Sequence, residues 1–300
     1  MATLYTQAES NNRKTFLLIA VFMIILISLG WLFSYLLDNS IFLIFAVILA
    51  FAQSFASYWY SDKIVLAMSH AKKIKHQENQ ELYRVVENLC ITAGLPVPKI
   101  YIINEAQPNA FATGRDKNHA VVAVTKGLLE KLNKTELEGV VAHELSHIGN
   151  KDMLLGTVIV VLVGIIALLS NFFLRISFFG GGRRRDSRGN AGAILMVLGL
   201  VAAILAPLLA TLIRLAVSRK REFLADADGA LLTRYPEGLA GALEKIASDP
   251  NVLKSASNST SHLYIANPFK GEQGKNWITK LFSTHPPTEE RIKILRQMSF

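Results

Sequence analysis

A short segment near the middle of the chain carries residue types that bind metal ions. Val140 to Asn150 reads VVAHELSHIGN, in which His143, Glu144 and His147 match the pattern H-E-x-x-H. On a helix, residues four apart share one face, so both imidazoles can reach one ion. Glu144 lies on the flank of that face, where its carboxylate could accept a proton from an attacking water. Neutral imidazole ligands suit zinc, so the segment predicts a hydrolytic site with one Zn²⁺ per subunit.

A catalytic zinc ion needs a third protein ligand, and this ligand must come from another element. The segment from Arg221 to Gly229 reads REFLADADG, and its Glu222 and Asp226 are also spaced i and i+4. A carboxylate ligand, with a second carboxylate that holds a ligand histidine, is a common arrangement around such ions. On the residues alone, Glu222 is better explained as a surface glutamate among basic neighbours, and a metal ligand is the alternative.

The rest of the chain is too apolar for an ordinary soluble domain. It has 300 residues, of which 51% are hydrophobic and 18% are charged, and its mean hydropathy is +0.32. Soluble domains average about 25% charged residues. The difference comes from four uncharged runs, at residues 15–37, 41–61, 153–174 and 189–213. Each run can cross a hydrocarbon core about 30 Å thick as a helix, so we expect a multi-pass α-helical membrane protein.

The net charge of +9 is explained by basic residues that flank these runs, and it requires no nucleic acid. These residues precede the first and third runs and follow the second and fourth, which places the polar segments on the cytoplasmic side. The arginine-rich loop at 183–188 disagrees with this rule if the last two runs both span. A re-entrant hairpin that never crosses fully is the alternative. The single cysteine, Cys90, excludes a disulfide within the chain.

The runs divide the chain into four expected segments. Residues 1–61 form an N-terminal transmembrane hairpin, and residues 153–217 form a second hydrophobic hairpin. Residues 62–152 and 218–300 are expected to be the two halves of one polar domain, because neither is a complete domain alone.

Local patterns in the first polar segment predict a small sheet and an active-site helix. A capping box with Thr135 as N-cap and Glu138 at N3 is expected to open that helix, which runs to about Gly149. The other predicted elements are a helix over 81–93 that Gly94 can cap, strands over 99–103, 109–114 and 119–125, and a short helix over 127–132.

The combination of these features resembles the HtpX-type membrane metalloproteases, bacterial relatives of the CAAX prenyl endopeptidases. The resemblance covers nearly the whole chain. It is carried by HELSH in a helix, a following hydrophobic hairpin, and SRKREFLADADGA from Ser218 to Ala230. Asn109-Ala110-Phe111-Ala112 and His285-Pro286-Pro287 are further matches. The fold it implies is an α-helical membrane protein with an α+β zincin-like metalloprotease domain, an H-E-x-x-H active-site helix and a small β-sheet.

The resemblance also implies a role for each site residue. His143, His147 and Glu222 would bind zinc, Glu144 would be the general base, and Asp226 would orient a ligand histidine. The strand from Asn109 to Ala112, with Asn109, Ala110 and Phe111 as its substrate-binding residues, would be a sheet edge that pairs with an extended substrate backbone. An ordinary edge strand is the alternative. His285 and Arg291 would line the site, where either could stabilise the oxyanion.

The expected function is a zinc-dependent membrane endopeptidase of protein quality control and the stress response. Its substrates would be misfolded or membrane proteins in the bacterial inner membrane. His147 lies six residues before the third run, and Glu222 five residues after Val217, so both lie within roughly 10 Å of the cytoplasmic membrane surface. The alternatives are a non-proteolytic zinc-binding scaffold and a prenyl-protein endopeptidase, and the oligomeric state is not predicted.

Overall fold

The structure is a computed structural model that describes residues 4–36, 38–179, 219–257, 259–269 and 286–299. The fourth apolar run, the arginine-rich loop at 183–188 and His285 therefore lie outside the described residues. The helices of the first half are α1 (Leu4–Leu36), α2 (Ile41–Trp59), α3 (Ser61–Met68), α4 (Gln80–Ala93), α5 (Lys126–Lys131), α6 (Lys134–Gly149) and α7 (Met153–Phe179). Helices α8 (Arg219–Thr233), α9 (Pro236–Ser248) and α10 (Thr288–Arg296) follow.

Helices α1 and α2 form the predicted N-terminal hairpin. Within them, the segments Ser10–Tyr35 and Ile41–Trp59 are long and apolar enough to cross a membrane. Only 22% of an 18-residue apolar stretch in each of these segments is buried inside the protein. Large side chains such as Ile24, Phe45 and Phe51 are more than 60% exposed. A wide unpaired apolar surface of this kind fits hydrocarbon rather than water.

The third apolar run is a helix that packs against this hairpin. Leu155, Ile159 and Leu162 of α7 are fully buried in a cluster with Leu18 and Phe22 of α1. Helices α6 and α7 meet at an angle of 86°, and α7 contributes a third span among the described residues only if this bent pair is one broken span. The division of the chain into four segments stays a prediction.

Within the described ranges the sheet is mixed and has four strands, in the order β1-β2-β4-β3. Strand β2 is parallel to β4, whereas β1 and β3 pair with their neighbours in the antiparallel direction. The 99–103 strand is confirmed to the residue, but the two later strands are shorter than predicted because Asp116 caps a 3₁₀ turn over Lys117–His119. The strands are β1 (Lys72–Lys73), β2 (Lys99–Ile103), β3 (Ala110–Thr113) and β4 (Val121–Thr125).

The active-site helix α6 begins earlier than predicted, and the capping box at Thr135 and Glu138 is wrong. Asn133 is the N-cap instead, and its side chain accepts from the backbone N–H of Glu136 at 2.9 Å. The Glu136 carboxylate accepts in return from the Asn133 N–H, also at 2.9 Å. Asn is among the strongest N-cap residues, and the box forms two positions upstream of the predicted N-cap. The predicted end near Gly149 is confirmed.

Helix α6 lies at the centre of the polar domain, between α4, α8 and α9. It buries most of its residues, including Val140, Val141 and Leu145. Gly229 of α8 allows a close approach to α6, because a Cβ there would lie 3.0 Å from the His143 backbone nitrogen. This contact brings the α8 carboxylates against the metal-binding face of α6.

Candidate metal centre

Three side chains from two helices converge in the way a tetrahedral metal site requires. His143 and His147 project from α6, and their Nε2 atoms lie 3.2 Å apart. Glu222 projects from α8, with carboxylate oxygens 3.9 Å from His143 Nε2 and 3.7 Å from His147 Nε2. Zinc–ligand bonds of about 2.0–2.1 Å at tetrahedral angles separate donor atoms by about 3.3 Å. The donor set and its spacing therefore fit one metal ion.

The first ligand histidine is held from behind by a buried carboxylate. Asp226, one helical turn after Glu222, places Oδ1 2.9 Å from His143 Nδ1. Both side chains are 1% exposed. A carboxylate at Nδ1 fixes the tautomer in which Nε2 carries the lone pair for the metal.

Arg291 of α10 is buried behind Asp226 and is not among the described residues that line the cavity beside the metal ligands, so its role as an oxyanion donor stays a prediction. Its Nε and Nη2 donate to the two Asp226 oxygens at 2.8 and 2.7 Å, and its Nη1 donates to the Ile265 carbonyl at 2.7 Å. Burial by itself raises the pKa of Asp226, but the charge and hydrogen bonds of Arg291 outweigh it and lower that pKa to about 2. Arg291 is therefore the counter-ion that keeps Asp226 ionised behind His143.

The second ligand histidine has its own carboxylate partner. His147 Nδ1 lies 3.3 Å from Asp152 Oδ2. The chain turns sharply between α6 and α7, with Lys151 at φ +56°, and this turn folds Asp152 back over the end of α6. Burial by itself lowers the pKa of His147, but Asp152 and Glu222 raise it to about 9 in the metal-free protein. Each ligand histidine thus has one carboxylate at its Nδ1.

Asp152 is in turn held by the N-terminal membrane helix. The Asn11 side-chain amide donates to Asp152 Oδ1 at 2.6 Å, and both side chains are buried. Arg221 lies 3.8 Å from the same carboxylate. No sequence pattern points to the contact between Asn11 and Asp152, because the two residues are 141 positions apart.

Glu144 is buried beside the metal ligands, on the side of β3. The backbone N–H of Ala112 donates to its carboxylate, and Ala112 lines the same cavity as His143 and His147. Burial raises the pKa of Glu144 to about 7 in the metal-free protein, and the nearby Glu222 charge adds to that effect. A carboxyl group that titrates near neutrality is well placed to exchange protons with a reacting group.

The predicted substrate strand is already partly occupied by the chain itself. The Ile265 N–H donates to the Ala110 carbonyl at 2.9 Å, and the Asn109 amide donates to the Ala266 carbonyl at 3.1 Å. Phe111 is opposite Ala123 in the antiparallel ladder, so its backbone groups face β4 rather than the free edge. Substrate pairing through Asn109, Ala110 and Phe111 stays a prediction, and Ala112 is the β3 residue that lines the cavity.

The fold and the site define a class: a helical membrane protein with an α+β zincin-like domain. Comparison with known proteins agrees. Residues 76–299 match the family model described as Peptidase family M48. The chain is similar to the Protease HtpX homolog of Caldanaerobacter subterraneus subsp. tengcongensis, at 45% identity over 99% of this chain and 98% of the relative. The corresponding protein of Dictyoglomus turgidum is 48% identical over 99% of this chain and 95% of the relative.

A solved structure shares the fold. The crystal structure of S. mikatae Ste24p superposes with a TM-score of 0.51 at 19% identity, covering 97% of this chain and 66% of that one. The chain belongs to peptidase family M48, and the resemblance to HtpX-type proteases is confirmed. It is thus a membrane endopeptidase of a metalloprotease family, with a His-His-Glu cluster for a metal ion.

Proposed function

We propose that this chain is a zinc-dependent endopeptidase whose single catalytic Zn²⁺ is bound by His143, His147 and Glu222. The observation that carries the proposal is the triangle of these donors with Glu144 buried next to it. Two imidazoles and one carboxylate with an open fourth position are a donor set typical of catalytic zinc. The buried carboxylates behind both imidazoles support this choice, because metal-binding histidines commonly donate their other N–H to such groups.

The protein side chains divide the work of peptide hydrolysis among them. Zinc, when bound, polarises the scissile carbonyl and lowers the pKa of the attacking water to about 7. Glu144 accepts the proton of that water and delivers it to the leaving amine, so no covalent intermediate with the protein is needed. Asp226 and Asp152 keep the two imidazoles oriented, and Arg291 keeps Asp226 charged.

Several features support a site at the cytoplasmic surface of the bacterial inner membrane. Asn11 of α1 contacts Asp152, and α7 begins at the next residue, Met153, so the site adjoins the ends of membrane helices. Basic residues flank those ends, as the positive-inside rule requires of a cytoplasmic face.

The orientation can be tested with the variant Lys254→Cys in a Cys90→Ser background, since Lys254 is exposed. A thiol reagent that cannot cross membranes should label this cysteine only in inverted vesicles. Labelling of intact spheroplasts would contradict the cytoplasmic orientation.

We further propose that the substrates are misfolded or membrane-integrated proteins, in a role in quality control. The test uses the full chain after a chelator has removed its metal. One assay reconstitutes it in liposomes with a membrane-protein substrate, and the other supplies soluble casein. Zn²⁺, but not Mg²⁺, should restore hydrolysis, because imidazole ligands disfavour magnesium. Hydrolysis by the stripped enzyme would contradict the zinc mechanism. Efficient casein cleavage with no cleavage in the bilayer would contradict only the membrane-substrate assignment.

The contact between α1 and the site yields a separate prediction. Replacing Asn11 by leucine should weaken zinc binding by about 10-fold, because Asp152 would lose the amide that fixes it against His147. The measurement is the zinc Kd by competition with a chromogenic chelator. Asn12→Leu is the matched control, since Asn12 is exposed on the same helix. Equal zinc affinities for the two variants would show that α1 does not support the metal centre.

A further inference from the structure

A second cleft lies at the end of α2, away from the metal centre. It has a volume of about 360 Å³. Its walls combine aromatic and basic side chains, with one carboxylate from Asp62 and the ring of His119. The aromatic and basic lining residues are Phe55, Trp59, Tyr60, Lys63, Lys99 and Arg115. We call this the α2 cleft.

Two of the three cations in the α2 cleft are positioned by aromatic rings. The Arg115 guanidinium lies 4.5 Å from the centre of the Trp59 ring, and the Lys63 ammonium lies 4.8 Å from the centre of the Tyr60 ring. Cation–π contacts of this kind hold a cation in place without neutralising it. Trp59 and Tyr60 therefore hold two positive charges at the mouth of the cleft.

A hydrogen-bonded chain holds Arg115 from the other side. Its Nη2 lies 2.7 Å from His119 Nε2, and His119 Nδ1 lies 2.8 Å from Asp116 Oδ1. Asp116 also lies 3.3 Å from Arg115 Nε, so Arg115 is partly compensated. Within the ranges that the structure describes, Lys63 and Lys99 form no ion pair with a carboxylate. The cleft thus keeps positive charge available for an anion.

The position of the α2 cleft identifies the source of that anion. Trp59 and Tyr60 end the second candidate span and are each 44% exposed, as expected of aromatic residues at the headgroup level. Below them, Ile48, Phe51 and Phe55 follow one face of α2, and each is more than half exposed. A phospholipid can place an acyl chain along this apolar stripe while its phosphate reaches the cations above. Free phosphate would contact only the cations, so the apolar stripe favours a lipid.

We propose that the α2 cleft binds the phosphate of an anionic phospholipid in the adjacent leaflet. Lys63, Lys99 and Arg115 contact the phosphate, and the α2 stripe contacts an acyl chain. Lys99 begins β2, and Arg115 lies between β3 and β4, so the bound lipid ties one end of the sheet to the membrane surface. The site is independent of the peptidase chemistry, because it shares no residue with the metal centre.

The experiment measures which lipids stay bound to the full chain. The protein is purified in detergent, incubated with equal amounts of phosphatidylglycerol and phosphatidylcholine, and analysed by native mass spectrometry. The test variant is Lys63→Gln/Lys99→Gln/Arg115→Gln. The matched control is Lys126→Gln/Lys254→Gln/Lys293→Gln, which removes the same charge from exposed positions outside the cleft. Casein cleavage in detergent should be unchanged in both variants, which shows that they are folded. If the triple variant loses casein cleavage, the single variant Lys99→Gln takes its place in the experiment.

The wild type and the control should retain phosphatidylglycerol in preference to phosphatidylcholine. The test variant should lose this preference by about five-fold for each of the three residues replaced, given roughly 1 kcal/mol for each basic residue near an anionic surface. Equal loss in both variants would overturn the proposal in favour of general charge attraction. No loss in the test variant would show that the α2 cleft does not bind the lipid. Displacement of phosphatidylglycerol by inorganic phosphate at equal concentration would overturn the assignment to a lipid.

Discussion

Replacing Glu144 by glutamine is expected to lower kcat by about 10²- to 10⁴-fold while zinc binding is retained. Glutamine has nearly the same shape, but its amide cannot accept the proton that the attacking water must lose. The carboxylate is not among the three metal-binding groups, so the His143, His147 and Glu222 triangle should stay intact. The measurement is the rate of casein cleavage by zinc-loaded wild type and variant, with zinc content determined on the same samples.

Glu138→Gln is the matched control for this experiment, because Glu138 lies on the same helix and its contact is an ion pair with Lys134 at 3.9 Å. This control should cleave casein at the wild-type rate. If Glu144→Gln also cleaves at the wild-type rate, the general-base assignment is wrong. In that case the zinc-binding scaffold that the sequence left open would become the better explanation of the site.

The parts of the molecule that could be predicted from sequence are those that depend on local patterns. The apolar runs predict α1, α2 and α7 because hydrocarbon requires long uncharged helices, whatever they pack against. The spacing of His143 and His147 predicts their shared face because helix geometry is fixed by the backbone alone. The helix of α4 and its end at Gly94, which has φ +64°, are confirmed for the same reason.

The parts that could not be predicted depend on contacts between distant segments. Asn11 meets Asp152 across 141 residues, and Arg291 meets Asp226 across 65. Ile265 occupies the β3 edge because the chain returns to it after α9. No spacing rule reports which distant side chain will satisfy a buried carboxylate or a free strand edge. The N-cap at Asn133 shows a limit at short range, since Asn133 with Glu136 and Thr135 with Glu138 are two competing local capping patterns.

Two roles are open to Arg291: the oxyanion donor that the resemblance implies and the counter-ion of Asp226 that the contacts indicate. The two roles predict different results on substitution. Arg291→Gln is expected to lower the free energy of unfolding by about 3–5 kcal/mol, because the buried Asp226 carboxylate would lose its counter-ion. The zinc Kd should rise by about 10- to 100-fold as Asp226 ceases to hold His143. Both quantities are measured on the full chain in detergent, by denaturant unfolding of the metal-free protein and by chelator competition.

The matched control is Arg296→Gln, on the same helix. Arg296 pairs with Glu237 and Glu244 at the surface, where solvent screens the ion pairs, so stability and zinc affinity should change little. An oxyanion donor would behave differently from a counter-ion, since it contacts the substrate only in the transition state. If Arg291→Gln lowers kcat but leaves unfolding and the zinc Kd unchanged, Arg291 acts on the substrate and its contact with Asp226 is incidental. If stability and metal affinity fall together, Arg291 of α10 stabilises the ionised Asp226 of α8, and Asp226 in turn orients His143 of α6 for metal binding.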